Sequence, residues 1–177
     1  MSHPTQSPAT ARLRATTPAW LLLGLLAVTL ALPAWQAHAA EPEARVVYHA
    51  DFADPRRFSA MLTSINNMVV HYENQLTDHD IRIVFVAHGI RFLTDAPMTG
   101  TPFAEDEALA AQRENLKGRL GSLVAVHGVR LELCDITRGS VNLDRDALHE
   151  GVTLVPSGVV RIAELQNREG FAYIKIE

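Results

Sequence analysis

The sequence is poor in cysteine, because Cys134 is the single thiol in 177 residues. One cysteine cannot form a disulfide within the chain, which excludes a domain stabilised by internal disulfides. The folded state must therefore be stabilised by burial of side chains, or by burial together with association between chains.

Runs of basic residues are also missing. The chain has 16 lysine and arginine residues against 20 aspartate and glutamate residues, which gives a formal net charge of −4. This pattern argues against nucleic acid and anionic membrane surfaces as partners. After residue 40 the sequence contains no apolar run long enough to span a bilayer, no internal repeat and no low-complexity linker.

The beginning of the sequence has the features of a secretory signal. Arg12 and Arg14 precede the apolar stretch WLLLGLLAVTLAL, and Ala37 and Ala39 then occupy the two positions that a signal peptidase reads. As a helix the apolar stretch would span about 20 Å, less than the roughly 30 Å of a bilayer core. We therefore predict cleavage after Ala39 and a single periplasmic or secreted domain at residues 40–177. Loss of two of the 16 basic residues gives that domain a net charge of −6.

Short β-branched runs alternate with helix-forming stretches along the predicted domain. Five strands are predicted, at residues 45–49, 81–87, 129–134, 152–155 and 171–176. Helices are predicted at residues 55–72, 104–120 with an extension to 127, 144–149, and 159–166 with Ser157 as the cap. The alternation and the many valines and isoleucines predict an α/β fold, a three-layer α/β/α sandwich with a mainly parallel five-stranded sheet.

Three side chains that can react or bind a metal fall at or just after predicted strand ends. They are His49, His88 and Cys134. In an open parallel sheet, ligands bind beyond the carboxyl ends of the strands. This edge is therefore the predicted location of a functional site.

Cys134 ends a strand, and a loop is expected to follow it. Side chains alternate between the two faces of the sheet along this strand, and Cys134 shares the more polar face with Arg130 and Glu132. A thiol reacts as its thiolate, which nearby helix N-termini or Arg138 would favour and Asp135 would oppose. The alternative is a small, buried, unreactive side chain, since cysteine is among the residue types most often buried. An unpaired cysteine in an exported protein favours the reactive interpretation, because it is open to oxidation unless it is used or hidden.

The two histidines admit two roles. Together with Cys134, His49 and His88 have the residue types of a zinc or copper site. The sequence lacks local ligand spacings such as C-x-x-C or H-x-x-x-H, so no metal or cofactor is predicted. Adjustment of the thiol pKa by His88 or His49 is favoured over metal binding, although histidines at strand ends are more often partners for backbone carbonyls.

Hydrolytic chemistry is not indicated. Ser157 and Gly158 lack the G-x-S-x-G frame of a nucleophile elbow, and the acidic residues 105–107 are typical of the first turn of a helix. Backbone N–H groups at Ser157 and Gly158 could bind an anion, although an ordinary helix cap explains these residues equally well.

Several segments resemble the DsrE/DsrF-like proteins, which have the YchN-like fold. The segments are RVVYHADFADPRRF, IRIVFVAHGI, GVRLELCDIT and GVTLVPSGVVRIAEL, and the similarity extends from Arg45 to Ile176. The resemblance is strongest for the small single-domain members with a histidine–glycine pair after a strand, a strand-ending cysteine and a V-P-S-G-V turn.

This resemblance implies an α/β/α fold with a parallel core, homo-oligomers such as trimers or hexamers, and a sulfur relay. In several cytoplasmic members a cysteine after a central strand carries a persulfide, and Cys134 matches that position. Cys134 is the only residue whose role is carried over from the family. Four further residues within the matching segments are candidate binding residues, which are Gly89, Thr137, Ser157 and Gly158.

We therefore predict a periplasmic sulfur carrier with sulfurtransferase-like chemistry, in which Cys134 holds a persulfide and exchanges sulfur with donor and acceptor proteins. The export signal departs from the cytoplasmic relay members and leaves the donor open. A non-catalytic oligomeric module that binds a small anion or a protein partner is the alternative, and a metal-binding protein is a weaker one.

Overall fold

All five strands of the domain run parallel in one sheet, in the order β4-β3-β2-β1-β5. The computed structural model describes residues 44–177, so the predicted signal at residues 1–39 lies outside the described residues and stays a prediction. The strands are β1 (Ala44–Ala50), β2 (His79–Phe85), β3 (Arg130–Cys134), β4 (Val152–Val155) and β5 (Ala172–Ile174). The helices are α1 (Pro55–Asn74), α2 (Glu107–Ala110), α3 (Arg113–His127), α4 (Asp135–Ser140) and α5 (Gly158–Glu169).

Helix α1 confirms the prediction from local sequence. The Asp54 carboxylate accepts a hydrogen bond from the Arg56 N–H at 2.8 Å, and Pro55 occupies the first turn, where its missing N–H costs nothing. Its apolar face is buried through Phe58, Met61, Leu62, Ile65 and Val69.

Four local predictions differ from the structure. Strand β2 ends at Phe85, because Ala87 has a left-handed φ of 49° that opens a 3₁₀ helix, Ala87–Phe92. The stretch 104–127 divides into α2 and α3. The loop expected after Cys134 is α4, which the 2.6 Å contact of Arg138 with Asp135 stabilises. The short helix predicted at 144–149 is shorter still, a 3₁₀ helix at Arg145–Ala147.

The two faces of the sheet carry apolar layers of unequal size. Among the described residues, 23 buried side chains form the layer with α1 and α3. On the opposite face five buried side chains form the layer between α5 and the sheet, which are Val47, Val84, Ile162, Leu165 and Phe171. The three-layer α/β/α arrangement is confirmed, and the layer beneath α5 is the thinner one.

Charged side chains complete the contact beneath α5. Arg82 of β2 is buried and donates to Asp80 at 2.7 and 3.1 Å and to Glu132 at 2.9 Å. Arg161 of α5 also donates to Glu132, at 2.8 Å. Each buried charge thus has partners of opposite sign, which offsets the cost of removing it from water. Within residues 44–177, no helix has both the length and the apolar character needed to cross a membrane.

Because the layer beneath α5 is thin, we expect α5 to open more readily than α1. Backbone amides exchange with solvent through local opening, and segments with few buried apolar contacts open at lower free energy. In native-state hydrogen exchange followed by NMR, amides of Ile162 and Leu165 should therefore exchange faster than those of Met61 and Ile65. Equal protection of the two helices would show that α5 opens only when the whole domain unfolds.

Candidate functional site

Cys134 lies at the carboxyl edge of the sheet, between two helix N-termini. It is the last residue of β3 and the N-cap of α4, and the first residue of α5, Gly158, lies against it. Its residue surface is 4% exposed, so the thiol is covered in the single chain. Close in sequence to the two helix starts, Ile136, Val159 and Val160 are 66%, 60% and 53% exposed.

The surroundings of the sulfur are polar despite its burial. Burial by itself raises the pKa of the Cys134 thiol. Hydrogen bonding from the Gly158 N–H, the Thr137 N–H and hydroxyl, and the Ile136 N–H outweighs burial, so that the pKa lies below its usual value. Donors that point at a sulfur favour its charged form. The site therefore stabilises the thiolate more than water does.

Gly158 permits the close contact between α5 and β3. A Cβ atom on this residue would lie 2.6 Å from Cγ2 of Val86 and 3.1 Å from Cβ of Cys134. Both distances are shorter than an ordinary van der Waals contact. The absence of a side chain thus allows the Gly158 N–H to reach the sulfur, which is a structural reason for glycine in the V-P-S-G-V turn.

Thr137 links the thiol to the turn after β2. It is buried, and its Oγ1 accepts a hydrogen bond from the Ala87 N–H at 3.0 Å. The hydroxyl proton of Thr137 remains available for the sulfur of Cys134, in agreement with its effect on the thiol pKa. Thr137 was predicted to lie at the site, and in the structure it lies beside the Cys134 thiol.

The structure places His49 away from the thiol. His49 pairs across the sheet with Val84, which pairs with Glu132, so His49 lies two strands from β3 and more than about 10 Å from Cys134. Its Nδ1 lies 3.0 Å from the Tyr173 hydroxyl. Burial lowers the pKa of His49, which Asp51 partly opposes and Lys175 supports.

His88 lies in the 3₁₀ helix after β2 and faces a different neighbour. Its ring meets that of Phe103 edge-on, with 5.2 Å between the centroids, and Phe103 packs against the larger apolar layer. The buried Nδ1 of His88 has no hydrogen-bond partner. The groups that lower the Cys134 pKa most are backbone N–H groups and the Thr137 hydroxyl, none of them an imidazole.

The remaining candidates have structural roles. Gly89 is buried where a Cβ atom would lie 2.1 Å from the Ala50 carbonyl oxygen, so it packs against the end of β1. Ser157 is the N-cap of α5, as predicted, although its side chain makes no capping hydrogen bond. Arg138 and Asp135 pair with each other at 2.6 Å, so they are not opposing neighbours of the thiol.

A metal site built on His49, His88 and Cys134 is not formed. Within residues 44–177, no group of three or more histidine, cysteine, aspartate or glutamate side chains is placed to hold a metal ion. The weaker alternative of a metal-binding protein therefore has no support in this part of the chain.

Arg161 was not predicted to lie near the site, and Glu132 was predicted only to share a face of the sheet with Cys134. Glu132 precedes Cys134 by two residues on the same face of β3, and its carboxylate accepts from Arg161. A signal was present, because glutamate and arginine stand inside the apolar runs RLEL and IRIVF, where a buried charge requires a partner.

The fold and the site together define an α/β/α domain with a strand-end thiol between two helix N-termini. The sequence profile of the DsrE/DsrF-like family matches residues 46–176. The chain therefore belongs to the DsrE/DsrF-like family, which is related to sulfur-relay proteins.

Two solved structures are similar to this chain. One is a protein of unknown function, MTH1491, from Methanobacterium thermoautotrophicum, with a TM-score of 0.57, 28% identity, and coverage of 75% of this chain and 99% of that chain. Another is the ychN protein from E. coli, with a TM-score of 0.48, 16% identity and the same coverage, 75% and 99%. A search of curated proteins found no significant match.

Proposed function

We propose that this protein is an exported sulfur carrier that holds sulfane sulfur as a persulfide on Cys134. The observation that carries the proposal is the set of N–H and hydroxyl donors around the sulfur, which lowers the thiol pKa despite burial. Membership of a family related to sulfur-relay proteins supports it.

The proposed step is a transfer between sulfur atoms. The Cys134 thiolate attacks the sulfane sulfur of a polysulfide or persulfide donor, and a new S–S bond forms as the donor S–S bond breaks. The leaving sulfur takes the electron pair and then a proton from water, so no external oxidant or reductant is needed. An acceptor thiolate later attacks the terminal sulfur and restores the Cys134 thiolate.

The surroundings of Cys134 suit both states of this cycle. The persulfide is an anion near neutral pH, and the N–H groups of Gly158, Thr137 and Ile136 that favour the thiolate also suit a terminal sulfur anion. The exposed side chains Ile136 and Val159 border the site and offer an apolar surface to a donor or acceptor protein. Association into homo-oligomers, expected from the sequence, stays a prediction.

The proposal is tested by loading the purified protein with sulfur. After incubation with inorganic polysulfide and removal of the excess, the intact mass should increase by one sulfur atom, and a reducing agent should reverse the increase. The Cys134→Ser variant should show no increase, because it has no thiol to load. An unchanged mass, with alkylation of Cys134 only after unfolding, would refute the proposal and favour a non-catalytic binding module.

A further inference from the structure

The first turn of α5 is joined to β3 by two contacts. At one, Gly158 lies against Cys134, where a Cβ atom would come within 3.1 Å of Cβ of the cysteine. At the other, the Arg161 guanidinium donates two hydrogen bonds to the Glu132 carboxylate, from Nε to Oε2 at 2.8 Å and from Nη2 to Oε1 at 3.3 Å. The backbone N–H of Arg161 donates to the Ser157 carbonyl at 2.9 Å, which closes the turn between the contacts.

The spacing of the two contacts agrees with the geometry of the elements. Gly158 and Arg161 are three residues apart, about 4.5 Å along a helix, and Cys134 and Glu132 are two residues apart, about 6.6 Å along a strand. The helix runs antiparallel to the strand, because its last turn lies at the start of β1, where Arg45 donates to the Glu169 carbonyl at 2.7 Å. Two contacts one helical turn apart determine how far α5 can slide along β3.

The ion pair is buried where it meets the strand. Glu132 is 6% exposed, and it also accepts from Arg82 at 2.9 Å. Arg161 in turn donates to Glu169 at 2.6 Å, at the other end of α5. A two-pronged contact between a guanidinium and a carboxylate is directional, so it fixes orientation as well as distance. Apart from this ion pair, an apolar layer of only five buried side chains fixes the position of α5 on the sheet.

We propose that Arg161 is a positioning residue. Through its ion pair with Glu132, it holds the first turn of α5 where the Gly158 N–H meets the Cys134 sulfur. Arg161 does not touch the thiol or any substrate. It acts through Gly158, and it also neutralises a carboxylate two residues from the thiol. The inference deepens the proposed function and rests on it for its biological role. The effect of the Arg161 contact on the thiol can nevertheless be measured without sulfur transfer.

The test is a pH titration of the thiolate by its ultraviolet absorbance, with no sulfur donor present. Because Cys134 is the single cysteine, the Cys134→Ser variant supplies the baseline. Arg161→Gln should move the titration to higher pH, and the thiolate fraction at pH 7 should fall about threefold to tenfold, because a stabilising N–H is displaced and the Glu132 charge is less compensated. Arg161→Lys keeps the charge but loses the planar fork, so its titration should lie between those of the wild type and Arg161→Gln.

Glu169→Gln is the matched control, since it removes one partner of Arg161 and leaves the Glu132 contact in place. Its titration should coincide with that of the wild type. A wild-type titration for Arg161→Gln would overturn the inference, and Arg161→Lys supplies the same test if the glutamine variant does not fold. Absence of persulfide in the loading experiment would refute the proposed function and leave this result unaffected.

Discussion

Replacement of Gly89 by alanine is expected to destabilise the domain by about 3 kcal/mol, because a buried overlap with backbone cannot be relieved by a side-chain rotation. The new Cβ atom would lie 2.1 Å from the carbonyl oxygen and 3.0 Å from the carbonyl carbon of Ala50. That carbonyl accepts the Val86 N–H at 2.9 Å and ends β1, which pairs with strands on both sides. Urea unfolding followed by circular dichroism measures the loss.

Gly118→Ala is the control for this substitution. Gly118 lies within α3, and a Cβ atom there would have no neighbour within 4 Å. Alanine at this exposed helical position should stabilise the domain by about 0.5–1 kcal/mol. If the urea midpoints of both variants equal or exceed that of the wild type, Gly89 does not pack closely against the end of β1.

Replacement of Gly158 by alanine is expected to slow sulfur loading about tenfold at neutral pH, since the reaction needs the thiolate. The added methyl group would overlap Val86 and Cys134, at 2.6 Å from Cγ2 and 3.1 Å from Cβ. To relieve the overlap, the start of α5 must move away from β3, and the Gly158 N–H then leaves the sulfur. The initial rate of persulfide formation, followed by intact mass, measures the effect.

Gly139→Ala tests whether this loss is specific to α5. Gly139 lies in α4, five residues after the thiol, and a Cβ atom there would have no neighbour within 4 Å. This variant should load sulfur at the wild-type rate. Loading at the wild-type rate in Gly158→Ala would instead show that the N–H of α5 is unimportant for the thiolate.

The parts of the fold that follow from local sequence were predicted correctly. The spacing of Phe58, Ile65 and Val69 specifies one buried helical face, and Asp54-Pro55 specifies where the helix begins. Valine and isoleucine runs predicted all five strands, and the residues of β4 were predicted without error. Alternation along β3 correctly placed Cys134 on the face shared with Glu132, because a strand has a period of two.

The parts that depend on contacts between distant segments could not be predicted in this way. The strand order places β2 between the strands of His49 and Cys134, and no pattern near either residue reports that separation. Likewise, the donors to the sulfur come from α4 and α5, and α4 was expected to be a loop. The pairing of Glu132 with Arg161 joins residues 29 positions apart in the sequence.

The unequal apolar layers have a kinetic consequence for Cys134. The apolar layer between α5 and the sheet has five buried side chains, two of them from α5 itself, whereas the opposite layer has 23. A donor too large to reach the covered sulfur reacts only after α5 has opened. At high donor concentration, the rate of sulfur transfer from such a donor would therefore reach a plateau set by the rate of that opening. A small polysulfide would show no such plateau, and the least firmly packed helix would thereby act as a size filter for sulfur donors.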